Sequence, residues 1–458
     1  MNAQATVLPI CTVQHDFQAV VKEVLDGIVP EDTFWVSCYK YGEPSVHGKA
    51  VAALDEHNRD LVLYQGRDGI QFRDNGAALY SVACPSLHIG DTRIVVPSTA
   101  YSIPSDVRKQ THITAFDVAP DGSQFATGYF DGSVYIRPAT SSSAPPSATS
   151  KPHLSTVTCL RFFPSSRVIL TAGADFSLSI LPADPPESSS YTTTKVNPAR
   201  TLRGHTRAVT STAIIARGRN VLSASKDGTI RLWDVPSSSQ IRTLAAGSNH
   251  FVPVTALSSG ERRKDFAGDA ASQDAPDDLD PREVETSDKV VFCALQDGSF
   301  ELFDLRTKRA TFRSQVTAPS ARSALQTIAY NWERNLVATG SASGLVSVYD
   351  VRTLGEGPTV TFRRNEAPIE ELAFVELTGD RSGFAQIPSN SDAGVPIEVG
   401  VAIATEDGLP YIAQLGSSGP TVRAELVGTD CDAVRFVKVV GQDVWTAADD
   451  GVVRRYKA

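Results

Sequence analysis

An imidazole, a carboxylate and two hydroxyls fall within one short stretch, GHTRAVTSTAIIARGRNVLSASKDGTIRLWDV. They are His205, Asp227, Ser223 and Ser225, with Trp233 close behind. A histidine beside an acid could relay a proton as a general base. Nothing elsewhere adds to that chemistry. The chain has no GxxxxGK[ST] phosphate loop, GxGxxG, HExxH, GxSxG or calcium-loop pattern. The eight histidines lack metal-ligand spacing, and the six cysteines form no CxxC pair. The stretch is therefore read as structural. A buried polar group costs free energy unless partnered, and a fully partnered network fixes geometry. The expectation is a non-enzymatic protein with no catalytic, cofactor-binding or metal-binding residues.

The elements that must position these residues are visible in the same stretch. NVLSAS and TIRLWDV alternate as strands do, and Asp227-Gly228 between them is a strong hairpin signal. Similar turns follow alternating runs at Asp131, Asp175, Asp297, Ser343, Asp407 and Asp450, 43 to 70 residues apart. Each has an apolar strand upstream, as in STVTCLRFFPSS or DAVRFVKVV. The shorter steps fit a four-stranded unit, and the longer ones contain insertions. One such unit cannot bury both faces of its sheet, so neighbours must stack. The pattern predicts an all-β, seven-bladed β-propeller over residues 94–458. No outer strand follows GVVRRYKA, so TAYSI, at about 99–103, is expected to close the ring.

Residues 1–93 break the pattern. In DFQAVVKEVLDG the residues Phe17, Val20, Val21, Val24 and Leu25 share a helical face, with Asp16 as cap and Gly27 as stop. Short alternating strands follow, which predicts a small N-terminal α+β domain. A stretch at about 259–288 is acidic and nearly free of large apolar residues, so disorder is expected there. Pro/Ser/Thr-rich or polar insertions in units one, two and six read as loops.

Composition narrows the partner. At 41% hydrophobic and 21% charged, the chain reads as globular. A net charge of -9 argues against nucleic acid. No apolar run has membrane length, and no secretory signal is visible. Scattered cysteines suggest reduced thiols, hence a cytoplasmic and nuclear protein, monomeric when free. The loops entering units one to five are basic or neutral. Those entering units six and seven carry Glu366, Glu370, Glu371, Asp430 and Asp432, and the turns add Glu406, Asp407, Asp449 and Asp450. Adjacent blades would gather these acids into one partner-binding sector, suited to an oriented protein contact.

Gly204-His205, Ser223 or Ser225, Asp227 and Trp233-Asp234 resemble a WD repeat. In that family the histidine, hydroxyl, turn aspartate and tryptophan form the blade's buried network. TAIIARGRNVLSASKDGTIRLWDV, VTCLRFFPSSRVILTAGADFSLSI and FWVSCYKYGEPSVHG further resemble the proteasomal ATPase-associated factor family. The resemblance implies a non-catalytic assembly chaperone. Such a protein binds the C-terminal domain of one AAA-ATPase subunit of the proteasome 19S regulatory particle. It assists base assembly, meets other base-assembly chaperones indirectly and uses no cofactor. No residue-level site carries over by motif. FDLR and YDVR, with Asp304, Arg306, Asp350 and Arg352, are similar to the Asp-x-Arg signature of substrate receptors of cullin-RING ubiquitin ligases. That receptor role and a generic interaction scaffold are the alternatives.

Overall fold

The computed structural model describes residues 5–457 apart from 56, 59, 77–78, 103–111, 186–192, 248–250, 263–279, 308, 317–322 and 378–397. Among the described residues, seven sheets that each contain a four-stranded antiparallel meander follow one another along the chain after the N-terminal region. Their innermost strands are Ala115–Val118, Val157–Phe162, Val209–Ile215, Val254–Glu261, Leu325–Asn331, Ile369–Leu377 and Val434–Val440. Each packs beside the next, and Val434–Val440 packs back on Ala115–Val118, so the sheets form the blades of a closed ring. The strand Thr99–Tyr101 pairs with Val453–Tyr456 as the outer strand of blade seven, Tyr101 opposite Val453. Buried Tyr101 lies between Phe125 of blade one and Trp445 of blade seven, with ring centroids 5.0 and 5.8 Å away. Closure thus rests on aromatic packing as well as strand pairing.

The turn between the second and third strands recurs because an aspartate supplies its own acceptor. Oδ1 of Asp131, Asp175, Asp227, Asp297, Asp407 and Asp450 accepts the N–H two residues on, at 2.8–3.2 Å. In blade five the Ser341 hydroxyl does this for the Leu345 N–H, at 3.0 Å. The residue after the aspartate is left-handed, as at Gly228, φ 78°. There a Cβ would lie 2.4 Å from the Phe251 backbone, so the turn is a seat for the loop entering the next blade. Blade two has Phe176 at this position, φ 69°. A side chain in this region costs about 1–2 kcal/mol.

The N-terminal region is joined to the ring by strand pairing. β1 (Thr6–Val7) runs parallel to Val360–Arg363, the outer strand of blade five. β2 (Ile10–Val13), β3 (Glu31–Tyr39), β4 (Val46–Leu54) and β5 (Val62–Arg67) form an antiparallel sheet, and α1 (Phe17–Leu25) packs on it. β6 (Gln71–Asp74), β7 (Leu79–Cys84) and β8 (Ile89–Val95) extend blade six, with β8 parallel to its outer strand Gly419–Leu426. α1 buries Phe17 and Val24 and packs Val20 and Val21. Leu25 differs from its expected place on this face: it is 45% exposed, because eight residues of helix rotate it off the stripe begun at Phe17. Asp16 makes no cap bond either, since its Oδ1 takes Gln14 Nε2 at 2.8 Å.

The expected disorder across 259–288 fails at both ends. The inner strand of blade four stays paired as far as Glu261, opposite Lys289. Glu283 is buried 3.1 Å from Arg242, and the Val284 N–H donates to Asn220 Oδ1 at 2.8 Å. These partners come from blade three and are invisible to local composition. Residues 263–279 and the whole of the expected unit-six loop lie outside the described residues.

Candidate functional site

His205, on the loop entering blade three, reaches both inner strands of the hairpin. Its Nδ1 lies 2.9 Å from Asp227 Oδ2 and its Nε2 2.7 Å from Ser223 Oγ. Ser223 Oγ accepts the Trp233 indole N–H at 2.8 Å. With the proton on Nδ1, every partner is satisfied: Nδ1–H donates to Asp227, and the Ser223 hydroxyl donates to Nε2. Ser225 serves the neighbouring turn, donating to Arg207 O at 3.0 Å and accepting the Asp227 N–H at 3.1 Å. The order of contacts is that of a Ser–His–Asp triad. Its hydroxyl, however, is wholly buried beneath Trp233, with the imidazole inaccessible as well. Burial pushes the Asp227 carboxyl up, but hydrogen bonds from His205, Thr229 and the Thr206 N–H outweigh it and hold the group below its ordinary range.

Blade two holds a second network that the sequence reading missed. His153 Nδ1 lies 3.0 Å from Asp175 and its Nε2 2.9 Å from Thr171 Oγ1. The spacings, 18 residues to the hydroxyl and 22 to the aspartate, equal those of blade three. That shared spacing was the available signal. No tryptophan is there to advertise it: buried Leu181 stands where blade three has Trp233.

The predicted acidic sector divides on inspection. Glu370 takes Arg435 Nη1 at 2.8 Å, Asp449 takes Nη2 at 2.9 Å, and Glu406 lies 3.7 Å from the same guanidinium. Glu371 accepts from Lys438 Nζ and from the Val437 N–H. Asp407 takes Asn365 Nδ2 at 2.6 Å, and Asp450 takes Arg454 Nη2. Asp430 is exposed, 3.5 Å from His15. Glu366 and Asp432 are exposed with no side-chain partner among the described residues. The outward-facing acids are thus Glu366, Glu406, Asp430 and Asp432. Glu370, Glu371 and Asp449 neutralise Arg435 and Lys438 of the blade-seven inner strand, Asp450 neutralises Arg454, and Asp407 is held by the neutral Asn365 amide. Burial raises the Glu370 carboxyl above its usual value, with Arg435 opposing.

The inner strands surround a cavity of about 700 Å³ lined by Asp117, Arg161, Ser211, Thr327, Glu371 and Lys438. Asp117 is pushed up by burial and accepts the Phe162 N–H at 2.7 Å. Asp117 and Glu371 are each held by a neighbouring inner strand, an arrangement that sets charge and geometry. Among the described residues, no group of three or more His, Cys, Asp or Glu could hold a metal ion. No described helix is long and apolar enough to cross a membrane. The Asp-x-Arg pairs fold back on themselves: Arg306 lies 3.6 Å from Asp304, and Arg352 lies 2.5 Å from Asp350.

Residues 105–137, 145–180 and 196–234 match the family model "WD domain, G-beta repeat", so the propeller carries WD40 repeats. Residues 266–387 match "Nucleolar protein 10-like, N-terminal domain". The chain is 26% identical over 247 residues to "Ribosome biogenesis protein ytm1" of Aspergillus niger, covering 52% of this chain and 48% of that protein. It is 24% identical over 181 residues to "Probable proteasomal ATPase-associated factor 1" of Dictyostelium discoideum, covering 39% and 38%. The chain spans about half the length of the first relative and less of the second.

Proposed function

We propose that this WD-repeat protein is a non-catalytic assembly factor. It binds the C-terminal domain of an AAA-ATPase subunit of the proteasome regulatory particle and assists base assembly. The observation that carries the reading is the likeness to the Dictyostelium factor. The surface is compatible with it. Glu366, Glu406, Asp430 and Asp432 face outward from neighbouring blades and would meet a basic patch on the ATPase. A second reading, a scaffold in ribosome assembly, is favoured by the ytm1 likeness and the nucleolar domain match.

Affinity purification of the tagged full chain, followed by mass spectrometry, separates these readings. Regulatory-particle ATPases are expected in near-equal amount with the bait. Recovery of pre-ribosomal proteins instead would establish the second reading, and recovery of a cullin adaptor would establish the ligase alternative.

A further inference from the structure

Four large apolar side chains stand exposed on the face formed by the turns and entering loops of the first blades. Phe130 is 61% exposed on the blade-one turn, and Leu154, 92% exposed, is on the loop entering blade two. Phe176, 44% exposed, is on the blade-two turn, and Phe251, 56% exposed, is on the loop entering blade four. The loops are seated on the turns. A Cβ on Gly132 would meet His153 O at 2.1 Å, next to Leu154, and Gly228 abuts Phe251 itself. The four positions therefore follow one arc around the channel mouth.

Two features mark the arc as more than scattered exposure. Phe176 and Phe251 both keep bulky side chains at positive φ, 69° and 50°. At the turn position of Phe176 the other six blades have glycine. Strain of this kind, held in the open, points to a use for the side chain. Beside Phe176 and Phe251 the charge is also one-sided. The turn carboxylates Asp175 and Asp227 are taken up by His153 and His205, whereas Arg203, Arg207 and Lys226 are exposed and without side-chain ion pairs among the described residues.

We propose that this arc is a docking site for an acidic, apolar-anchored peptide segment of a protein partner. Its aromatic or aliphatic side chains would lie on Phe130, Leu154, Phe176 and Phe251, and its carboxylates would meet Arg207 and Lys226. The site adjoins the acidic sector at Phe130, which shares a cavity with Glu370, Arg435 and Asp449, but its existence does not depend on which complex that sector serves.

The test uses the full chain and a displayed random-peptide library, with the Leu154→Ser, Phe130→Ser double variant as counter-selection target. The expected winners carry hydrophobic anchors flanked by Asp or Glu. They should bind the double variant at least about tenfold more weakly and weaken with added salt. Phe176→Gly should also weaken them while leaving the melting temperature unchanged or higher, the reverse of what a structural role for Phe176 would give. Enrichment of basic peptides, equal binding to the double variant, or no enrichment at all would overturn the proposal. So would a dimer of the wild-type chain abolished by Leu154→Ser, which would make a second copy the occupant.

Discussion

Blades two and three hold their turn aspartates with an imidazole from the entering loop, whereas blades four, six and seven hold theirs with Arg313, Asn365 and Arg454. The first arrangement is buried beneath the loop and works through an imidazole. Its outer surface is left to apolar and basic side chains. On the other side of the ring, guanidinium and ammonium groups are embedded among carboxylates, as at Arg435, Lys438 and Arg364. There the cations are used internally and the surplus acids face outward. One propeller face thereby acquires two unlike halves from two ways of satisfying the same polar turn.

The comparison breaks most severely at the buried ion pair. Arg364 reaches Glu425 with both nitrogens of its fork, lies 4.2 Å above the Tyr411 ring, and shares Glu425 with the Cys11 N–H of the N-terminal region. Arg364→Met strands the carboxylate and should cost about 3–5 kcal/mol in denaturant unfolding. Adding Glu425→Leu should recover most of that loss. A small effect of the single change would mean that the ionic half does not depend on its pairs. His205→Ala comes next, at about 2–4 kcal/mol, because buried Ser223 and Asp227 lose their common partner.

Asp227→Asn should cost about 1.5–3 kcal/mol at neutral pH. The folded carboxyl titrates below its unfolded value, so its contribution is present above about pH 4 and is lost as pH falls through the depressed value. The variant should therefore converge on the wild type in acid, as followed by melting temperature against pH. Glu370→Gln is the smallest effect, under about 1 kcal/mol. Its folded pKa is raised, so the wild type gains stability as pH falls through that value, and the variant lacks the gain. Opposite slopes for the two carboxylates would confirm that the halves differ in kind.

Much of the ring was legible because its turn chemistry is local. Asp227-Gly228 and its echoes mark each hairpin, and the strands around them alternate. The blade-three network was legible because Trp233 announces it. The blade-two network was not, since only the spacing of His153, Thr171 and Asp175 carries it. Parallel pairing of β1 and β8 with blades five and six leaves no local trace, because the partners lie hundreds of residues away. In the sequence the acidic sector is visible only as a set of acids. Arg435, inside the inner strand of blade seven, carries no local sign of its role, although it helps decide which of those acids face solvent. The order of the 280–288 segment came from Asn220 and Arg242, far from it in sequence.

The central claim is that the outward acids of blades six and seven hold an ATPase subunit of the proteasome. The most direct measurement is the affinity of purified regulatory-particle ATPase subunits for the wild-type chain and for the Glu366→Lys, Glu406→Lys, Asp430→Lys, Asp432→Lys variant. These positions are outside the Arg435 and Lys438 pairs that would unsettle the fold, except for the long Glu406 contact. The account predicts that one subunit binds the wild type and loses at least about tenfold in affinity to the variant at an unchanged melting temperature. Undiminished binding by the folded variant, or no binding of any subunit to the wild type, would contradict it.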